Sequence, residues 1–242
     1  MTPSLARPRR RRPEGLRLYA LGGSLLTALF FLGLGALLVH DSLPVLRQAG
    51  LGYLTGDVWY YRRQIFGALS MVHGTAVVTL LALLLAAPVG LGTAVFTATL
   101  LPPRARIVVK GLLELLAGVP SVVYGLLGVL LLRTFMYERL EPWGAWTGDS
   151  LATAGVLLAV MVLPTFVTLA DDALGEVPQS HRLAARALGL TRTETLASVL
   201  APAAMPGLVA ALLLALGRAL GESIAVFLVV GRLDKPLPES VL

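Results

Sequence analysis

Five apolar runs, each long enough to cross a lipid bilayer, constrain this chain more than any other feature. They cover residues 18–39, 73–100, 107–132, 151–170 and 207–230. A spanning helix needs about 20 mostly apolar residues. Lipid offers no hydrogen bonds to a free backbone, so each run is expected to be helical. Prolines fall inside three of them, at Pro88, Pro120 and Pro164. Membrane helices tolerate proline because neighbouring groups satisfy the freed backbone. Charged residues make up 14% of the chain, against about 25% in a soluble domain. The expected fold is an all-α integral membrane protein. It has a basic tail at residues 1–17 and one transmembrane domain at residues 18–242.

The net charge of +6 is a membrane signal here rather than a nucleic-acid one. Six arginines lie between Arg7 and Arg17, just ahead of the first apolar run. Under the positive-inside rule they anchor a cytoplasmic N-terminus. A cleaved signal peptide would have an apolar core of about 7 to 15 residues, shorter than this run, so an uncleaved helix is expected. Counting Lys and Arg at and between the runs gives 12 inside and 7 outside for that orientation. Tyr53, Trp59, Tyr60 and Tyr61 then lie outside, as do Trp143 and Trp146, where aromatic side chains suit the interface. Five spans leave the C-terminus outside. The polar end at residues 232–242 reads as the start of an outer loop, with a sixth helix expected beyond it.

Several chemistries are excluded. The chain has no cysteine, hence no thiolate chemistry or Cys-based metal site. Only two of its 20 basic residues are lysines, Lys110 and Lys235, and no G-x-x-x-x-G-K-[ST] string occurs. Nucleotide hydrolysis must then come from a partner, and the chain itself is not expected to be an enzyme. His73 opens the second run with no second ligand at metal spacing, so neither metal nor cofactor is expected.

The longest inside loop covers residues 171–206. Pro178 suits the first turn of a helix and Gly189 the position past its end. Thr191 and Glu194 form a T-x-x-E capping box that opens a second helix running toward Pro202. Ala184, Ala185 and Leu188 give the first helix a small apolar face, fit for a groove on a partner protein. The plainer reading is an amphipathic connection lying on the membrane surface.

The fifth run holds two charges, Arg218 and Glu222, in the string GRALGES. Each costs about 2.5 to 3.5 kcal/mol at a bilayer centre on insertion scales, so their retention points to function. At i, i+4 both would share one helix face. A guanidinium fork matches phosphate oxygens bidentately. Glu222 could hold Arg218 between substrates, or accept a hydrogen bond from a protonated phosphate oxygen. The competing reading is a structural ion pair, with Gly217 and Gly221 as a G-x-x-x-G packing face. Elsewhere, Lys110 and Glu114 can pair along one helix, Asp171 and Asp172 form the solvated end of the fourth span, and Pro120 with Ser121 can break the third.

The loop resembles the EAA loop of ABC-transporter permeases, E-A-A-x3-G-x9-I-x-L-P. Ala184, Ala185, Gly189, Val199 and Pro202 fall at matching positions, while Leu183 stands at the usual Glu and Ala201 at the usual Leu. Four further strings are similar to the phosphate-specific transport (Pst) permeases, closest to the C-type subunit: FGALSMVHGT (66–75), LAGVPSVVYGLLG (116–128), LPTFVTLADDAL (163–174) and GRALGESIAVFLVVG (217–231). The resemblance implies a type I ABC importer transmembrane domain in a bacterial inner membrane. It implies phosphate as substrate, with Arg218 and Glu222 on its path. The implied partners are a second permease subunit, two ATP-binding subunits docked on the loop, and a periplasmic phosphate-binding protein. Permeases of this kind usually have six helices. The alternatives are a permease for sulfate or molybdate, a non-transporting membrane regulator, and an ion-driven secondary transporter, against which the loop argues.

Overall fold

The computed structural model describes residues 14–63, 65–143 and 148–231. The expectations for most of the arginine tail, for Trp146 and for residues 232–242 lie outside these. Eight helices organise the described chain: α1 Glu14–Ala49, α2 Leu69–Thr99, α3 Pro103–Ala117, α4 Ser121–Leu140, α5 Leu151–Gly175, α6 Gln179–Ala187, α7 Arg192–Leu220 and α8 Ile224–Val230. Between α1 and α2 run the short helix Gly52–Thr55 and a two-stranded antiparallel ribbon pairing Trp59 with Phe66. Among the described residues five helices, α1, α2, α4, α5 and α7, are long and apolar enough to span a membrane, the same number as the apolar runs.

The bundle is built inside-out relative to a water-soluble protein. Lipid is as apolar as leucine, so helices associate through close packing of small residues rather than through a hydrophobic drive. On α2 the buried stripe is Val78, Ala82, Ala86, Gly90 and Ala94, and on α7 it is Ala204, Ala211, Ala215 and Ala219. Both stripes clasp α5, the most buried helix. The approach is close enough that a Cβ on Gly90 would lie 2.4 Å from Phe166 Cδ1, and one on Gly207 2.7 Å from Ala173 Cβ. Large side chains such as Leu80, Leu84, Leu213 and Leu214 point outward instead. The most apolar stretch of helix α1 has no buried residue, and Leu, Phe and Val are exposed along it.

Two of the expected spans are cut differently. The run at 107–132 is not one helix. Pro120 has no N–H and disfavours helical backbone at Val119, so α3 stops at Ala117 and α4 starts at Ser121. The amphipathic α3 lies outside the spanning set. The run at 207–230 is also broken. Helix α7 enters from Arg192, passes Pro202 and Pro206, and ends at Leu220. A π-helical turn at Leu196–Leu200 absorbs Pro202, with the Ala201 N–H bonding to the Leu196 carbonyl. Gly221 closes α7, and Glu222 and Ser223 lead into the separate α8. Helix α8 lies on α4 where Gly125 and Gly128 make room. A Cβ there would meet Leu228 at 2.7 Å or Val229 at 2.6 Å.

Candidate functional site

Arg218 occupies the last turn of α7 and faces the gap between α5 and the end of α3. Its Nη1 donates to Thr165 Oγ1 at 2.7 Å, and its Nη2 donates to the Ala117 carbonyl at 3.1 Å. The placement is electrostatically sound. A cation in a helix's last turn meets the negative end of that helix, and Ala117 offers one of the carbonyls that the end of α3 leaves unbonded. The neighbouring Leu116 carbonyl is satisfied by Tyr124 Oη at 2.9 Å. Among the described residues two of the five N–H donors of the guanidinium are thus engaged, and the side chain is exposed.

Glu222 does not share a helix face with Arg218, because α7 ends between them. Its Oε1 accepts the Ala225 N–H at 3.1 Å, which places the carboxylate at the positive end of α8. Among the described residues the two charges form no ion pair, and the expected role of Glu222 in holding Arg218 falls to Thr165 and Ala117. Glu222 instead lines a cleft of about 530 Å³ together with Thr75, Thr79, Ser223 and Phe227. Among the described residues Gly217 meets nothing within 4 Å, so the G-x-x-x-G spacing packs no described helix.

A buried polar cluster stands where a solvated helix end is expected, and the correction falls on Asp171, since Asp172 is half exposed. Asp171 is 1% exposed and sits at the Gly175 end of α5, not in solvent. Its Oδ1 accepts from Thr97 Oγ1 at 2.8 Å, and its Oδ2 accepts from Arg106 Nη2 at 2.8 Å and Nε at 3.2 Å. Lys110 reaches the same Oδ2 at 3.2 Å and also binds Asp172. It does not pair with Glu114 as expected. Burial pushes the Lys110 ammonium down, but hydrogen bonds and charge from Asp172 and Asp171 outweigh this and hold its pKa above the ordinary lysine value. Gly175 leaves room for the guanidinium, since a Cβ there would lie 2.9 Å from Arg106 Nη2. The signal in the sequence was complementary: an R-x-x-x-K pair, Arg106 and Lys110, on one amphipathic helix and an adjacent Asp171–Asp172 pair on another.

One turn beyond lies the loop. Pro178 caps α6, and Gly189 follows it with φ +77°. The Gly189 and Leu190 N–H groups bond back to the Arg186 and Ala185 carbonyls, a Schellman closure. Thr191 and Glu194 form the reciprocal capping box. The expected apolar face divides. Ala185 is buried against the bundle, while Ala184, Leu183 and Leu188 are exposed. Val199 is half-buried in the π-helical turn and Pro202 is exposed at the start of the following α-helical stretch. Arg182 ties α6 to α5 through the Leu174 carbonyl at 2.8 Å. Among the described residues no group of three or more His, Asp or Glu is placed to share a metal.

Comparison with known proteins gives this arrangement a context. Residues 87–241 match the family described as "Binding-protein-dependent transport system inner membrane component". A Bacillus subtilis protein named "Probable ABC transporter permease protein YqgH" is 40% identical over 175 residues, covering 72% of this chain and 55% of the relative. The "Phosphate transport system permease protein PstC" of Mesorhizobium japonicum is 32% identical over 215 residues, covering 82% of this chain and 66% of the relative. The protein of the same name from Pasteurella multocida is 33% identical over 220 residues, covering 84% and 68%. The chain therefore spans between about half and two-thirds of the length of these relatives. It belongs to the family of binding-protein-dependent transport system inner membrane components, the multi-pass permeases of ABC transporters.

Proposed function

We propose that this chain is a transmembrane permease subunit of an ATP-driven phosphate importer. The observation that carries the reading is Arg218: a guanidinium in an apolar bundle, positioned by a hydroxyl and a carbonyl, with donors to spare. Planar N–H pairs suit a tetrahedral oxyanion, and relatives named as phosphate transport permeases support phosphate as the anion. The N-terminus faces the cytoplasm, so the Gly175 end of α5 and helix α6 face the ATPases. Ala184, with Leu183 and Leu188 beside it, forms the docking face. Ala185, Gly189, Val199 and Pro202 shape the loop that presents it. A second permease completes the path, two ATP-binding subunits drive it, and a periplasmic phosphate-binding protein delivers the anion.

Glu222 selects within the oxyanions. Phosphate carries a proton near neutral pH and sulfate does not, so a carboxylate accepts a hydrogen bond from the first and repels the second. The test is uptake of labelled phosphate by the assembled complex in the presence of competing sulfate or molybdate. Phosphate alone should compete in the wild type, and Glu222→Gln should narrow the preference over sulfate by roughly 10-fold, the worth of one hydrogen bond to a charged group. Equal competition by sulfate or molybdate in the wild type contradicts the phosphate assignment. Unchanged discrimination in the variant contradicts the role of Glu222.

A further inference from the structure

We infer that α3 is a positioning arm, which couples the carboxylates next to the loop to the orientation of Arg218. Four contacts, at both ends of one rigid helix, carry this. At the near end, Arg106 and Lys110 are held by Asp171 and Asp172 on α5. Three residues further along α5, the Leu174 carbonyl accepts from Arg182 of α6. At the far end, the Ala117 carbonyl accepts from Arg218 Nη2. Lys110 and Ala117 are seven residues apart, about 10 Å along the helix axis.

A 15-residue helix with a packed Leu113 moves as one body. The clamp therefore sets where its last carbonyl sits, and that carbonyl is one of the two groups that aim the guanidinium. Arg106, Lys110, Asp171 and Asp172 touch no substrate. They act through α3, and Arg218 at the end of α7 reads the result. Loosening the clamp lets the Ala117 end drift, leaving Thr165 as the remaining anchor of Arg218. A misplaced guanidinium binds the anion less well, so loosening the clamp at the exposed Asp172 acts on affinity rather than on the amount of folded protein.

The inference rests on the phosphate reading for one readout and is independent of it for the other. In proteoliposomes holding the full complex, Asp172→Asn and Lys110→Met should raise KM for phosphate roughly three- to ten-fold at equal amounts of assembled complex, since small misplacements of an orienting group have large effects. Glu114→Gln, on the same helix but outside the clamp, should leave KM unchanged. Asp172 is 51% exposed, so its variant tests the idea even if Lys110→Met does not assemble. A KM within about two-fold of wild type for the clamp variant, whatever the maximal rate, overturns the inference. If the wild-type complex takes up no phosphate, the phosphate reading fails and thermal unfolding decides. Distant sites with no shared partner add in their effects. An Asp172→Asn, Arg218→Gln double variant whose Tm shift falls short of the sum of the single shifts supports the arm, and an additive shift overturns it.

Discussion

Helix α5 meets charge at two levels, one buried at Asp171 and one exposed at Arg218, and the levels are finished differently. At its Gly175 end both oxygens of Asp171 are satisfied, by Thr97, Arg106 and Lys110. About 9 Å back along the axis, six residues away, Thr165 holds an arginine that has donors left over. A buried ion pair is weak evidence for net stabilisation, but removing one partner from it is costly. The completed cluster is therefore a clamp whose partners depend on one another. The incomplete one is the level that still has something to offer a ligand.

The sharpest way to break this contrast is at the clamp. Asp171→Ala leaves Arg106 without a carboxylate partner and Lys110 with Asp172 alone, and should cost about 3 to 5 kcal/mol of stability, read as a lower Tm and a loss of purified complex. A smaller perturbation of the same level is Gly175→Ala. Its Cβ would push aside the tip of the Arg106 guanidinium at 2.9 Å, at a cost of about 1 kcal/mol, the low end of overpacking because the side chain can shift. If either variant kept the wild-type Tm, the Gly175 end would not be the structural level. Arg218→Gln should move Tm least of the three, because it removes two hydrogen bonds from an exposed side chain.

Much of the architecture was legible in the apolar runs, because about 20 apolar residues have few alternatives to a spanning helix. The loop was legible for local reasons: Pro178, Gly189 and the Thr191–Glu194 box each act within a turn of their own position. Breaks were harder. Pro120 announced one, but the other falls at Gly221 inside a string whose neighbours favour helix, and so Arg218 and Glu222 were placed on one face that does not exist. Asp171 was illegible because its partners Arg106 and Thr97 lie 65 and 74 residues away. No local pattern separates a solvated carboxylate from one that packing brings to a distant guanidinium.

On the proposed reading, Arg218 serves the anion and not the fold. Initial rates of labelled phosphate uptake decide this for wild type and Arg218→Gln, measured in proteoliposomes at matched amounts of assembled, equally stable complex. Loss of charge-assisted hydrogen bonds to the anion predicts a fall of roughly 10- to 100-fold in kcat/KM. Uptake at the wild-type rate by the Arg218→Gln complex would contradict the account.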